Sequence, residues 1–218
     1  MLDGTYDRRY LPHWKADGAT YFVTFRLAGT LPKTIFDEFE AERAELADRA
    51  EKGGRKLSAE DKNRLRKLYS EKIDAYLDAG HGDCWLARPE VAHLVADSLR
   101  HFVAKRYDLH AWTIMPNHVH VVLTPFERQT LSEILHSWKS YTGTKANAFL
   151  GRSGESLWQR ESYDHLVRDE KEFSRVCEYT VQNPVTAGLC KRPEDWRFGS
   201  IFVPQASSLP QSSGEQSR

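Results

Sequence analysis

The chain is 218 residues long, enough for one well-buried domain with insertions or for two small ones. Lysine plus arginine and aspartate plus glutamate both number 31, a balance that argues against a polycation. Cys84, Cys177 and Cys190 are far apart, odd in number and without a C-x-x-C pair, which argues against a zinc knuckle or a disulfide framework.

No apolar run approaches membrane-span length, and the start, MLDGTYDRRYLP, lacks a basic-then-apolar leader. A reducing cytoplasm without membrane association is therefore the expected setting. Charge is unevenly spread along the chain. Asp37 to Glu51 carries seven acids against two bases, and Lys52 to Lys72 eight bases against three acids. A neutral total thus conceals local basic surface.

Met1 to Gly18 brings Arg8, Arg9, Tyr10, His13, Trp14 and Lys15 close together. Such a leader either packs across a sheet edge or contacts phosphates and stacks on bases. Ala19 to Leu27, ATYFVTFRL, is aromatic and β-branched and predicts the first core strand. Thr34 is the expected N-cap of a long helix that breaks at Gly53-Gly54, and Ser58 that of a second helix ending at Leu77. Ile35, Phe36, Phe39 and Leu46, then Leu57, Leu65, Leu68, Tyr69, Ile73 and Tyr76, give each an apolar stripe. Residues 34–79 thus read as a charged helical hairpin, a stabilised insertion rather than a catalytic piece.

Pro89 suits a helix N-terminus, and Glu90 to Tyr107 is the expected helix, with Val91, Leu94, Val95, Leu99, Phe102 and Val103 inward. His93 and His101 on it read as surface or boundary residues. Leu109 to Pro125, LHAWTIMPNHVHVVLTP, then predicts two strands, His110 to Met115 and Val119 to Thr124, joined tightly at Pro116-Asn117. Side chains alternate on a strand, so His118 and His120 share one face while Val119 and Val121 share the other. Two imidazoles so placed can hold one divalent metal ion, although a His-x-His also arises by accident on strands.

A further helix is expected from Thr130 to Leu150, burying Leu131, Ile134, Leu135, Trp138 and Thr142, with Lys139, Tyr141 and Lys145 along or beside that face. A short strand, Asp164 to Val167, precedes a helix that begins near Asp169 and runs to about Gln182, where Pro184 is expected to stop it. Tyr179 lies off the stripe of Phe173, Val176, Cys177 and Thr180. Asn183 follows one turn later, so the two side chains can meet over one spot. From Gln205 the tail, QASSLPQSSGEQSR, has too few apolar residues to fold.

The order strand, helix, strand, strand, helix, strand, helix predicts an α+β fold, a ferredoxin-like antiparallel sheet with helices on one face. One domain over residues 1–203, interrupted by the 34–79 insertion and followed by a disordered tail at 204–218, is the expected organisation.

Four blocks carry a family resemblance: W-x-x-M-P-N-H-V-H, L-W-Q-R, Y-D-H-x-x-R-D and E-Y-x-x-x-N-P-V-x-A-G-L. Together they resemble the REP-associated tyrosine transposases, single-tyrosine members of the HUH endonucleases. The resemblance implies that His118, His120 and Asn183 bind Mg²⁺ or Mn²⁺ and that Tyr179 is the nucleophile, forming a 5′-phosphotyrosine on single-stranded DNA. Two imidazoles and an amide are neutral ligands, which would leave the ion its full charge for phosphate. It further implies a hairpin substrate from repetitive extragenic palindromes (REP sequences), bound by a monomer or homodimer. The long charged hairpin is a departure from the short members of that family.

The phenol needs a proton acceptor or a stabiliser of its phenolate: the metal or a bound water is one candidate and His165 another, with a structural histidine bonded to backbone the alternative reading of His165. Tyr141 and Tyr163 are rival nucleophiles. Lys139, Lys145, Arg152, Arg160 and Arg168 are the expected phosphate contacts, with Tyr141, Trp158 and Tyr163 available for stacking. Two other functions fit the residues: a hydrolase that uses a water nucleophile at the two histidines, and a non-catalytic nucleic-acid-binding sheet.

Overall fold

Six strands are present in the computed structural model, which describes residues 5–7, 13–15, 18–54, 58, 60, 61, 64 and 73–201. β1 (Thr5–Asp7) and β2 (His13–Lys15) form a separate two-stranded ladder. The core sheet comprises β3 (Tyr21–Arg26), β4 (Tyr107–Ile114), β5 (His118–Pro125) and β6 (Tyr163–Leu166). Its order is β4-β5-β3-β6, antiparallel at every step, which is the ferredoxin-like arrangement expected from the chain order. The other expected features of the leader and the 204–218 tail lie outside the described residues.

β-Branched and aromatic residues build this sheet because both of its faces are covered. On one face Tyr21, Val23, Phe25, Val119, Val121 and Leu123 pack against Val91, Val95 and Leu99 of the first crossover helix (Pro89–His101) and Ile134, Leu135 and Trp138 of the second (Leu131–Leu150). The opposite face presents Phe22, Ala111 and Val122, covered by Val176 and its neighbours on the C-terminal helix (Glu170–Thr186). Helices on one face therefore describes the two crossovers. The third helix crosses behind, and the sheet face it covers is the one that carries His118 and His120.

Capping follows the sequence closely in the second half. Thr130 makes a reciprocal capping box with Glu133, and Asp169 Oδ1 accepts from the Glu172 amide. Ser58 Oγ accepts from the Asp61 amide, as its capping role requires. Three boundaries differ. The helix of the insertion spans Lys33–Lys52 with Pro32, not Thr34, at its N-cap. The first crossover helix ends at His101 rather than Tyr107, because Ala104 turns to a φ of +59° and Tyr107 opens β4. Pro184 does not stop the C-terminal helix. It loses one backbone bond inside the last turn, while Gly188, at φ +72°, closes the helix: Leu189 N donates to Pro184 O and Gly188 N to Val185 O.

The insertion packs on itself and on the sheet. Arg64 pairs with Glu42 of the first helix of the insertion; the rest of the second helix expected from Ser58 to Leu77 lies largely outside the described residues. Its last turn, Ala75–Asp78, buries Ile73 and Leu77, with Leu31, Ile35 and Tyr163 packed around them.

Candidate active site

β5 carries the two histidines in the middle of the sheet, opposite Arg26 and Thr24 of β3. Both are fully buried, and their Nε2 atoms lie 3.0 Å apart. Each ring is tied at its other nitrogen. Asn117, at the hairpin turn, commits its Nδ2 to the carbonyls of Leu77 (3.0 Å) and His81 (2.9 Å). Its Oδ1 can then only accept, so His118 Nδ1 donates to it at 2.7 Å and His118 Nε2 carries a lone pair. His120 Nδ1 meets Thr24 Oγ1 at 2.8 Å, a hydroxyl that serves either tautomer. Phe22 stacks on the His120 ring. Burial, then the neighbouring His118, hold His120 well below the ordinary imidazole pKa.

The C-terminal helix lays Tyr179 and Asn183 over these rings. The Tyr179 ring meets His120 edge-on at 5.5 Å and Phe22 at 5.7 Å. Asn183 is buried, as the one-turn spacing from Tyr179 requires. The insertion then contributes two carboxylates that the sequence reading left out. Asp74 Oδ2 accepts from the Tyr179 hydroxyl at 2.8 Å. Asp78 Oδ2 accepts from Asn183 Nδ2 at 3.2 Å, and Asp78 Oδ1 lies 3.4 Å from His118 Nε2. Asp74 is 3% exposed, and burial pushes its carboxyl up to about 8; the Tyr179 hydrogen bond opposes that rise and the charge of Asp78 adds to it. The signal was present in the sequence. Asp74 and Asp78 are one helical turn apart, beside the apolar Ile73 and Leu77 that pin that turn down.

The donor set fits a divalent cation. Asp78, His118 and His120 offer ligand atoms all within 4.8 Å of one another. Asp78 Oδ1 and Asn183 Oδ1 are buried without hydrogen-bond partners among the described residues, an expensive state for two oxygens unless a cation meets them. Two ligand nitrogens 3.0 Å apart also match cis positions about 2.1 Å from one octahedral ion. Asp78 changes the expected neutral ligand set, because a carboxylate offsets one unit of the ion's charge.

Several other expected residues have different placements. His165 Nε2 lies 3.0 Å from Glu172 Oε1, which Arg175 shares, so its local contact is with the carboxylate at the start of the C-terminal helix. Lys139 donates to the carbonyls of Gln159 and Arg160 and to Ser162 Oγ, and burial lowers its pKa to about 8. With its three protons used, it is a tie for the 159–162 loop rather than a phosphate contact. Trp158 is 5% exposed, packs edge-on against Phe25 and donates to Thr142 Oγ1, so it is core rather than a stacking platform. Arg152 pairs with Glu155 and lies over Trp85. Tyr163 is half-buried, whereas Tyr141, Lys145, Arg160 and Arg168 are exposed.

Residues 90–183 match the family described as "Transposase IS200 like". That match spans less than half of the chain and makes the segment similar to this family. The span matched by this transposase family contains His118, His120 and Tyr179 and ends at Asn183; β3 and the two aspartates of the insertion precede it. The chain is similar to the REP-associated tyrosine transposase of Escherichia coli K12, with 26% identity over 117 residues, 51% of this chain and 67% of that protein. A solved REP-associated tyrosine transposase bound to a REP hairpin is 18% identical, with a TM-score of 0.47 over 98% of each chain. No described helix is long and apolar enough to cross a membrane.

Proposed function

We propose that this chain cuts and rejoins single-stranded DNA at a REP-type hairpin through a phosphotyrosine on Tyr179, with a divalent cation. One observation carries the reading: His118, His120, Asn183 and Tyr179 converge on one sheet face beside Asp78, where Asn183 Oδ1 and Asp78 Oδ1 are buried without hydrogen-bond partners among the described residues. Residues 1–203 act as one catalytic domain in this account, as a monomer or homodimer.

His118 Nε2, His120 Nε2, Asn183 Oδ1 and Asp78 are the residues that would hold the ion. Bound Mg²⁺ or Mn²⁺ would supply Lewis-acid polarisation of the phosphate's non-bridging oxygens. The chain does the rest. Asn117 and Thr24 fix the imidazoles, so the site is ordered before DNA arrives. Phe22 and the sheet beneath exclude water from one side of the histidines. Tyr179 Oη attacks the phosphorus; the Oη–P bond forms, the P–O3′ bond breaks, and the new 3′-hydroxyl is left free. The phosphotyrosine keeps the bond energy, so rejoining needs no nucleotide cofactor. Exposed Lys145, Arg160 and Arg168, with Tyr141, remain the candidate DNA contacts.

The test is a denaturing gel of the purified chain with end-labelled single-stranded REP hairpins, with Mn²⁺ and then with EDTA. A protease-sensitive shifted band that needs the metal is the expected result. Cleavage without a shifted band would assign the site to a water nucleophile. Hairpin binding with no cleavage, unaffected by His118→Ala, would assign the sheet to binding alone.

A further inference from the structure

We infer that Asp74, on the last turn of the insertion, is the catalytic base that takes the Tyr179 proton during DNA cleavage and returns it during rejoining. This rests on the phosphotyrosine reading above. Asp74 Oδ2 holds the Tyr179 hydroxyl at 2.8 Å, so it already touches the atom that must become the nucleophile. A phenol ionises near pH 10, and its attack at neutral pH needs a partner for that proton.

A purely structural role explains the pair poorly. Asp74 is 3% exposed, its Oδ1 has no partner among the described residues, and a second carboxylate, Asp78, sits one turn away. Burying a carboxylate for one bond from a neutral phenol costs more stability than the bond returns. Raised to about 8, the carboxyl is a stronger proton acceptor than an ordinary aspartate once it is ionised, so the base-competent fraction, and with it the rate of attack, rises with pH through about 8. His165, the base considered from sequence, is tied to Glu172.

The proton balance is complete. On attack, the phenol proton passes to Asp74 Oδ2, the Oη–P bond forms, and the departing 3′-oxygen takes a proton from solvent water. On rejoining, a 3′-hydroxyl attacks the phosphotyrosine and releases its proton to solvent. The Oη–P bond breaks, and Asp74 returns its proton to the leaving phenolate.

The experiment measures single-turnover adduct formation in Mn²⁺ by wild type, Asp74→Asn and Asp74→Glu, each carrying either tyrosine or the more acidic 3-fluorotyrosine at position 179. Hairpin affinity and Tm are recorded for every protein to establish folding. Asp74→Asn should form adduct about 100-fold more slowly or worse with hairpin affinity unchanged. Asp74→Glu should recover part of the rate, and 3-fluorotyrosine should speed Asp74→Asn by a larger factor than wild type. An Asp74→Asn protein that keeps the wild-type rate overturns the inference, as does a slow one that 3-fluorotyrosine does not help. Absence of adduct in wild type would instead overturn the phosphotyrosine reading on which it rests.

Discussion

Asn117 and His118 are adjacent in sequence and locked together in space: the Asn117 Oδ1 accepts from His118 Nδ1 at 2.7 Å, while its Nδ2 is anchored on the carbonyls of Leu77 and His81. The tight turn thus sets the tautomer of His118 and ties the insertion to the site. Asn117→Ala cuts the amide tie to the Leu77 and His81 carbonyls, although Leu77 O keeps the Gly80 N–H, and frees the His118 ring. The expected outcome is a stability loss of about 1–3 kcal/mol and a Mn²⁺ affinity about 10- to 100-fold weaker. Thermal unfolding and calorimetric Mn²⁺ titration read the two effects, and unchanged Mn²⁺ affinity would remove Asn117 from the site.

Metal binding has a readout that needs no DNA. A ligand at 100 times its Kd stabilises the folded state by about 2.7 kcal/mol, a Tm rise of roughly 5–10 °C for a chain of this size. Saturating Mn²⁺ is expected to produce that rise in wild type. His118→Ala is expected to abolish it, and Asp78→Asn to shrink it, since Asp78 supplies the one charged ligand. An undiminished rise in Asp78→Asn would return the ligand set to the neutral residues alone.

Asp74 gives the metal-free protein a pH signature. An unfolded aspartate ionises near 3.9, whereas burial first, and the charge of Asp78 beside it, push folded Asp74 up to about 8. Between these values the folded chain keeps a proton that the unfolded chain releases. The Asp74 contribution is therefore fully present below about pH 4 and is lost as pH rises through about 8, at up to roughly 1.4 kcal/mol per pH unit. In EDTA, Asp74→Asn is expected to lack this decline and to gain stability over wild type as pH increases from 5 to 8. Parallel stability curves for the two proteins across that range would contradict the assignment.

Trp158 separates packing from DNA contact. It is buried against Phe25, bonded to Thr142, and set beside Gly143. Trp158→Ala is expected to cost about 3–5 kcal/mol by opening a core cavity. Arg160→Ala, at an exposed position, should leave the Tm within about 2 °C while weakening hairpin binding and its salt dependence. The reverse pattern in unfolding and binding measurements would restore Trp158 as a stacking residue.

How much of this was legible in the sequence depends on distance along the chain. Local chemistry read well: the alternation in Tyr21–Arg26 and His118–Pro125, the Pro116-Asn117 turn, the Thr130 and Asp169 caps, and the shared face of His118 and His120. Pro184 misled because its missing N–H falls in the last turn, where a single lost bond is tolerated and Gly188 ends the helix instead. The one-turn spacing of Asp74 and Asp78 beside Ile73 and Leu77 could be read locally, but their place in the site could not, because their partners, Tyr179 and Asn183, each lie 105 residues away. Lys139 and Trp158 read as DNA contacts because their residue types suit DNA; only the packing of the 159–162 loop and of Phe25 reveals their internal bonds.

The most direct test of the central claim is tandem mass spectrometry of the covalent adduct made with Mn²⁺ and a REP hairpin, after nuclease and protease digestion. A nucleotide remnant on the peptide containing Tyr179, absent in Tyr179→Phe and in EDTA, is the expected result. A remnant on Tyr141 or Tyr163, or cleaved DNA with no modified peptide at all, would contradict it.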